Sequence, residues 1–130
     1  MLRVKTFLDR SSTHGIGIFA GEDIPRGTLI WEFHPQVDLV YDPDQWRELR
    51  NSVASQSFAA LERYCYKENG RYCLCLDNAQ FMNHCAATYN VENVSAHKMV
   101  AKADIRQGEE LLCNYFDYSD PDDVHLAGLK

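Results

Sequence analysis

Short apolar runs bounded by Gly, Pro, Ser, Asn or Asp set the rhythm of this chain. Val4–Leu8 and Gly17–Ala20 are rich in β-branched and aromatic residues and flank the turn-forming run Asp9–Gly15, so they predict two strands joined by a Ser/Gly-rich loop. Thr28–Phe33 and Val37–Tyr41 predict two more strands, separated by His34-Pro35-Gln36, where the proline interrupts any continuous ladder. The first third of the chain is therefore expected to be strand-dominated.

The pattern changes at Asp42. An Asp followed by Pro43 and, three residues on, by Gln45 is a helix N-terminus signal, with proline at the first helical position and a helix running through Trp46 and Leu49. A second helix is expected from about Ser52 to Leu61, with Val53, Phe58 and Leu61 on one face. Beyond it, Tyr64–Tyr66 and Arg71–Leu76 flank Lys67-Glu68-Asn69-Gly70, whose Asn-Gly is the strongest short hairpin signal.

The pattern Ala20-x-x-Asp23-Ile24-x-x-Gly27 recurs as Ala101-x-x-Asp104-Ile105-x-x-Gly108, each time between strand-like runs. Two similar strand-turn-strand units are expected to bracket the middle of the chain. In each, the Asp is expected to bond amides of its own turn and the Gly to reverse the chain at positive φ.

Composition narrows the class. With 130 residues, 45% of them hydrophobic and 25% charged, residues 1–130 suit one domain with one core. No apolar run approaches the roughly 20 residues that cross a bilayer, and Met1–Lys5 carries no signal-peptide stretch, so a soluble intracellular protein is expected, cytoplasmic or nuclear. Five cysteines without paired CxxC blocks read as free thiols, with no metal site. A formal charge of −6 argues against a phosphate-tracking surface and favours a basic protein segment as partner over nucleic acid. The acidic cluster Asp117, Asp120, Asp122 and Asp123 reads as a solvated tail.

Three segments carry candidate chemistry: Gly15-Ile16-Gly17-Ile18-Phe19-Ala20; Phe81-Met82-Asn83-His84 with Asn90; and Gly108-Glu109-Glu110-Leu111-Leu112-Cys113-Asn114-Tyr115. The first is not a dinucleotide fingerprint, since no third glycine follows at the required spacing and no helix opens there. In this order the three resemble the SET-domain lysine methyltransferases, from about Val4 to Tyr115, with the middle helical segment unmatched.

That resemblance implies a mostly β fold with short helices, of several small sheets around a knot-like crossing, and transfer of a methyl group from S-adenosylmethionine to a protein lysine, the default substrate being a histone or histone-like protein. It assigns Gly15, Ile16, Gly17, Asn83, His84, Tyr115 and Phe116 to the cofactor. It puts Tyr115 at the channel where lysine meets the sulfonium, with Tyr64 as the second channel tyrosine and Tyr66 as its fallback. Cys113 stands where the family usually has Phe or Tyr, which leaves room for a methylated lysine to react again.

The stretch Cys85-Ala86-Ala87-Thr88-Tyr89-Asn90 departs from the family pattern by one extra residue and a missing proline. The 15 residues after Tyr115 contain no cysteine, so no zinc cluster closes the site there. Phe116 or Tyr118 folding over the adenine, or a second subunit in a homodimer, is expected to close it instead. Two other readings stand beside the methyltransferase: a degenerate SET domain that binds proteins without catalysis, and a thiol enzyme built on Cys85 or Cys113 with His84, His97 or Asn114.

Overall fold

The computed structural model describes residues 1–95 and 97–129. Among them the chain runs through β1 (Thr6–Arg10), β2 (Ile16–Ala20), β3 (Leu29–Glu32), β4 (Asp38–Tyr41), α1 (Pro43–Ser52) and α2 (Ser55–Tyr64). It continues through β5 (Tyr66–Glu68), β6 (Arg71–Cys75), β7 (Asn83–His84), β8 (Val91–Ser95), β9 (Lys98–Ala101) and β10 (Leu112–Cys113). The strands form four small sheets, β1-β2, β10-β7, β3-β9-β8 and β4-β6-β5.

The first hairpin forms as the pattern predicts, but β1 begins at Thr6 rather than Val4. The residues before it pair elsewhere: the Arg3 N–H donates to Ile30 O at 2.8 Å, and Leu2 bridges Trp31 of β3. The helix signal at Asp42 is a full capping box, with Asp42 accepting from the Gln45 N–H and the Gln45 side chain accepting from the Asp42 N–H. Asn69 and Gly70 both take positive φ, 51° and 73°, as a two-residue turn between β5 and β6 requires.

Two expectations change here. The second helix starts at Ser55 rather than about Ser52, because Ser52 ends α1 and Val53 caps it. Tyr64 is the last residue of α2, not part of the strand with Tyr66. The helix continues through Tyr64 because Leu61 and Tyr64 both pack on the cluster of Trp46, Phe58, Cys65 and Leu74. In that cluster Trp46 stacks on Tyr72 at 4.4 Å, and Arg50 lies over the Phe58 ring.

The larger core collects Ile18, Ala20, Ile24, Ile30, Trp31, Val91, Ile105, Leu111 and Cys113 with their neighbours. The strand β6 serves both interiors, sending Leu74 into the helical cluster and Cys75 into the larger core.

The two echoed segments pair with each other. Ile24 and Ile105 exchange backbone bonds at 2.7 and 2.8 Å, the Gly27 N–H donates to Ala101 O, and the Gly108 N–H donates to Ala20 O. Each Asp reaches across instead of capping its own turn: Asp104 accepts from the Arg26 N–H and Asp23 from the Gln107 N–H. The antiparallel pairing brings the partner's amide nearer than its own.

A crossing forms around β10, which runs parallel to β7. The chain leaves β7 at Cys85, whose N–H donates to Cys113 O, and returns at Asn90, whose N–H donates to Leu112 O. The Asn90 side chain locks the crossing, accepting from the Leu112 N–H and donating to Glu110 O, both at 2.9 Å.

Candidate active site

The crossing sets Asn83 and His84 side by side with Tyr115. The Tyr115 N–H donates to His84 Nδ1 at 3.0 Å, which places the proton of the neutral ring on Nε2. The Tyr115 hydroxyl donates to Met82 O at 2.8 Å, and burial holds its pKa above the ordinary phenol value. The rings of Tyr115 and Phe116 pack on His84 at 5.1 and 5.4 Å.

On one side of Tyr115 lies a cavity of about 90 Å³. Its walls include Tyr64, Tyr66, Cys113, Tyr115 and Tyr118, with Trp31, Met82 and Met99. Tyr66 meets Tyr118 edge-on at 5.1 Å, and Tyr118 meets Tyr115 at 6.1 Å. Burial raises the pKa of all three phenols, so each keeps its proton at neutral pH. Glu68 is the one carboxylate among the described cavity-lining residues, and burial raises its pKa too. Two buried polar atoms of the walls, Trp31 Nε1 and Ser119 Oγ, have no hydrogen-bond partner among the described residues. Such orphans mark a place prepared for an occupant or water.

The other expected residues sit beyond Tyr115, outside this cavity. Asn83 Nδ2 lies 2.9 Å from His14 O, 3.3 Å from Ile16 O and 3.1 Å from Glu110 Oε1, tying the Gly15 loop to the crossing. Gly15 is needed for its conformation, φ 50°, and space is open where a side chain would begin. Gly17 lies against the Glu110 side chain, and a Cβ there would displace its carboxylate and crowd Ser11 Cβ. The group that comes close to Gly17 is thus the Glu110 carboxylate. Phe116, packed on His84, is 48% exposed, and Ile16, whose carbonyl meets Asn83, is 55% exposed, so both present apolar surface.

The segment after Tyr115 differs most from expectation. Asp120 accepts from the Asn69 and Gly70 amides, and its own N–H donates to Lys67 O. Asp123 is 5% exposed and accepts from the Lys67 and His125 amides, while Asp122 pairs with Lys67 Nζ. The acidic cluster therefore clasps the β5–β6 hairpin instead of trailing in solvent. Free amides at an edge strand attract carboxylates whose backbone is already held nearby. This docking carries Tyr118, Ser119 and His125 into the cavity wall, so Tyr118 lies on the Tyr66 side rather than over the exposed ring of Phe116.

Cys113 does not suit the thiol-enzyme reading. Burial pushes Cys113 up to about 12 and Cys65 up to about 12, and all five cysteines are unbridged. Cys85 is half-buried, and its pKa is lowered by its hydrogen bond with Thr88 at 3.1 Å.

A model of the SET domain matches residues 15–116. The chain belongs to the SET-domain family. It is 29% identical over 120 residues to the N-lysine methyltransferase KMT5A of Xenopus tropicalis, an alignment covering 85% of this chain and 35% of that protein. The chain thus spans about a third of that relative's length. Its fold is similar to that of Chaetomium thermophilum Polycomb Repressive Complex 2 bound to S-adenosylmethionine, at TM-score 0.65, 23% identity, and coverage of 92% of this chain and 16% of that one. It is also similar to the Neurospora histone lysine methyltransferase DIM-5, at TM-score 0.59, 15% identity, and coverage of 88% and 53%.

Within this SET domain, sequence reading overlooked Glu110, which braces Gly17 and Asn83, and Trp31 and Met99, which line the cavity. The adjacent glutamates Glu109-Glu110 gave the one available signal, because a carboxylate in a strand beside a two-glycine segment has few places to go.

Proposed function

We propose that this SET domain transfers a methyl group from S-adenosylmethionine to a lysine side chain of a protein. The observation that supports this best is the cavity lined by neutral phenols that ends at Tyr115, whose backbone and hydroxyl tie it to His84 and Met82. S-adenosylmethionine supplies an electrophilic methyl on a sulfonium. The exposed Phe116 on His84 and the exposed Ile16 suit its adenine, and the open loop at Gly15 suits its polar end.

Tyr115 joins the two sides and fixes where the channel stops. Phenols that stay protonated offer a lysine ammonium no counter-charge, so desolvation between Tyr66, Tyr115 and Tyr118 favours the neutral amine. The proton leaves to water, and Glu68 is the carboxylate among the described wall residues that a cationic side chain can meet. Positioning then does most of the work, as an in-line displacement requires an aligned lone pair more than a strong base. The formal charge of −6 suits a lysine in a basic segment, a histone tail among them, and the free thiols suit a reducing intracellular compartment.

Calorimetric titration with S-adenosylmethionine tests the reading on wild type, Asn83→Ala and Tyr115→Phe. Saturable binding by wild type, weakened in Asn83→Ala and kept in Tyr115→Phe, is expected. Absence of binding by wild type would favour a protein-binding module without catalysis.

A further inference from the structure

We propose that Tyr118 sets how many methyl groups a lysine accepts in this channel, an inference that rests on the methyltransferase reading above. The hydroxyls of the three buried phenols are not equally committed. Tyr115 donates to Met82 O at 2.8 Å, and Tyr66 is hydrogen-bonded to the Cys73 thiol. Tyr118 reaches the Cys113 sulfur at 3.6 Å, and a thiol is a weak partner in either direction. Its hydroxyl therefore turns toward a guest nitrogen at less cost than that of Tyr115, and of the two thiol-bonded phenols it is the one that touches Cys113.

Space points to the same residue. Cys113 is short and 1% exposed, and the room its small side chain leaves is filled by the Tyr118 hydroxyl against its sulfur. On this inference cysteine at this position does not open the channel for repeated methylation, because Tyr118 takes the space. The ring is held from both sides by Tyr66 and Tyr115, and its backbone is fixed by the Tyr118 N–H donating to Tyr115 O and by the clasp of Asp120 and Asp123 on the β5–β6 hairpin. A phenol oxygen is about the size of a methyl group, so removing it makes room for one.

Each round forms one N–C bond and breaks the S–CH₃ bond of S-adenosylmethionine, leaving the neutral thioether S-adenosylhomocysteine, while the nitrogen loses one proton to water. A second round needs the first methyl to turn away from the line of attack. With the Tyr118 hydroxyl in place that space is taken, so wild type stops at monomethyl-lysine.

The test is intact-mass analysis of core histones and of a lysine-containing peptide library after incubation with S-adenosylmethionine and wild type, Tyr118→Phe, Tyr118→Met or Cys113→Ala. Monomethyl product from wild type and Cys113→Ala is expected. Both Tyr118 variants should raise the dimethyl-to-monomethyl ratio by about tenfold or more, a discrimination of the size one methyl commonly gives. The ratio is compared at equal monomethyl turnover, so a loss of activity from a merely structural role would not move it. Unchanged product ratios in both Tyr118 variants, with wild type active, would overturn the assignment of Tyr118 and leave the methyltransferase reading standing. Wild type that methylates neither probe would overturn the reading itself and the inference with it.

Discussion

Asp23 accepts the backbone N–H of Gln107 at 2.8 Å, bridging 84 positions of sequence. Asp104 does the same for Arg26 at the same distance, so the echoed segments hold each other by symmetric cross-capping. Replacing either Asp with Ala should lower stability by about 1 kcal/mol, the worth of one charge-assisted bond at a partly exposed site. Urea unfolding of the two single variants should give equal shifts in midpoint with an unchanged slope. Unequal shifts would show that the echo is one of sequence only.

Gly17→Ala should cost about 1 kcal/mol, because the new methyl pushes the flexible Glu110 carboxylate off Asn83 Nδ2. Shortening the obstacle with Glu110→Ala in the same chain should recover part of that loss. Thermal melts of the two singles and the double would measure the coupling.

Asp123→Ala leaves the Lys67 and His125 amides without their shared acceptor at a site 5% exposed, a loss of about 1–3 kcal/mol. Hydrogen exchange should show the loss concentrated in residues 119–126, and methyl transfer should fall because the cavity wall loosens. An even loss of protection across the chain would contradict the clasp.

Alkaline pH should destabilise the protein earlier than a chain with exposed thiols. Cys73 is pushed up to about 11, and Cys65 and Cys113 up to about 12, from 9.0. Between these values the unfolded chain has lost protons that the folded chain keeps. Stability is then full below about pH 9 and falls as pH rises toward 12, at about 1.4 kcal/mol per pH unit for each group. Midpoints measured from pH 7 to pH 10.5 should drop from near pH 9, and less steeply in Cys113→Ala.

Tyr115→Phe should reduce methyl transfer about 10²-fold, as loss of one positioned hydroxyl commonly does, with S-adenosylmethionine affinity little changed. Single-turnover rates beside calorimetry separate the two effects.

Local signals were readable wherever a residue type has one physical use. Asp42-Pro43 with Gln45 forms its capping box, and Asn69-Gly70 forms its turn, because both depend on neighbours in sequence. The three motif segments meet, with His84 against Tyr115 and Asn83 bonded to the His14 and Ile16 carbonyls. What stayed hidden depends on distant partners. Nothing near Asp120 or Asp123 shows that the amides of residues 67–70 await them. Nothing near Cys113 shows that the hydroxyl five residues later fills its space. Tyr64 was placed on a strand because its aromatic neighbour Tyr66 is on one, while the helical cluster drew it into α2.

The strand β6 gives consecutive residues to different interiors, Leu74 to the helical cluster and Cys75 to the larger core. Sliding that strand by one position would send each side chain into the wrong interior at once. Five residues of backbone thus act as the alignment key between two compartments, and an error in their pairing cannot be absorbed by either one alone.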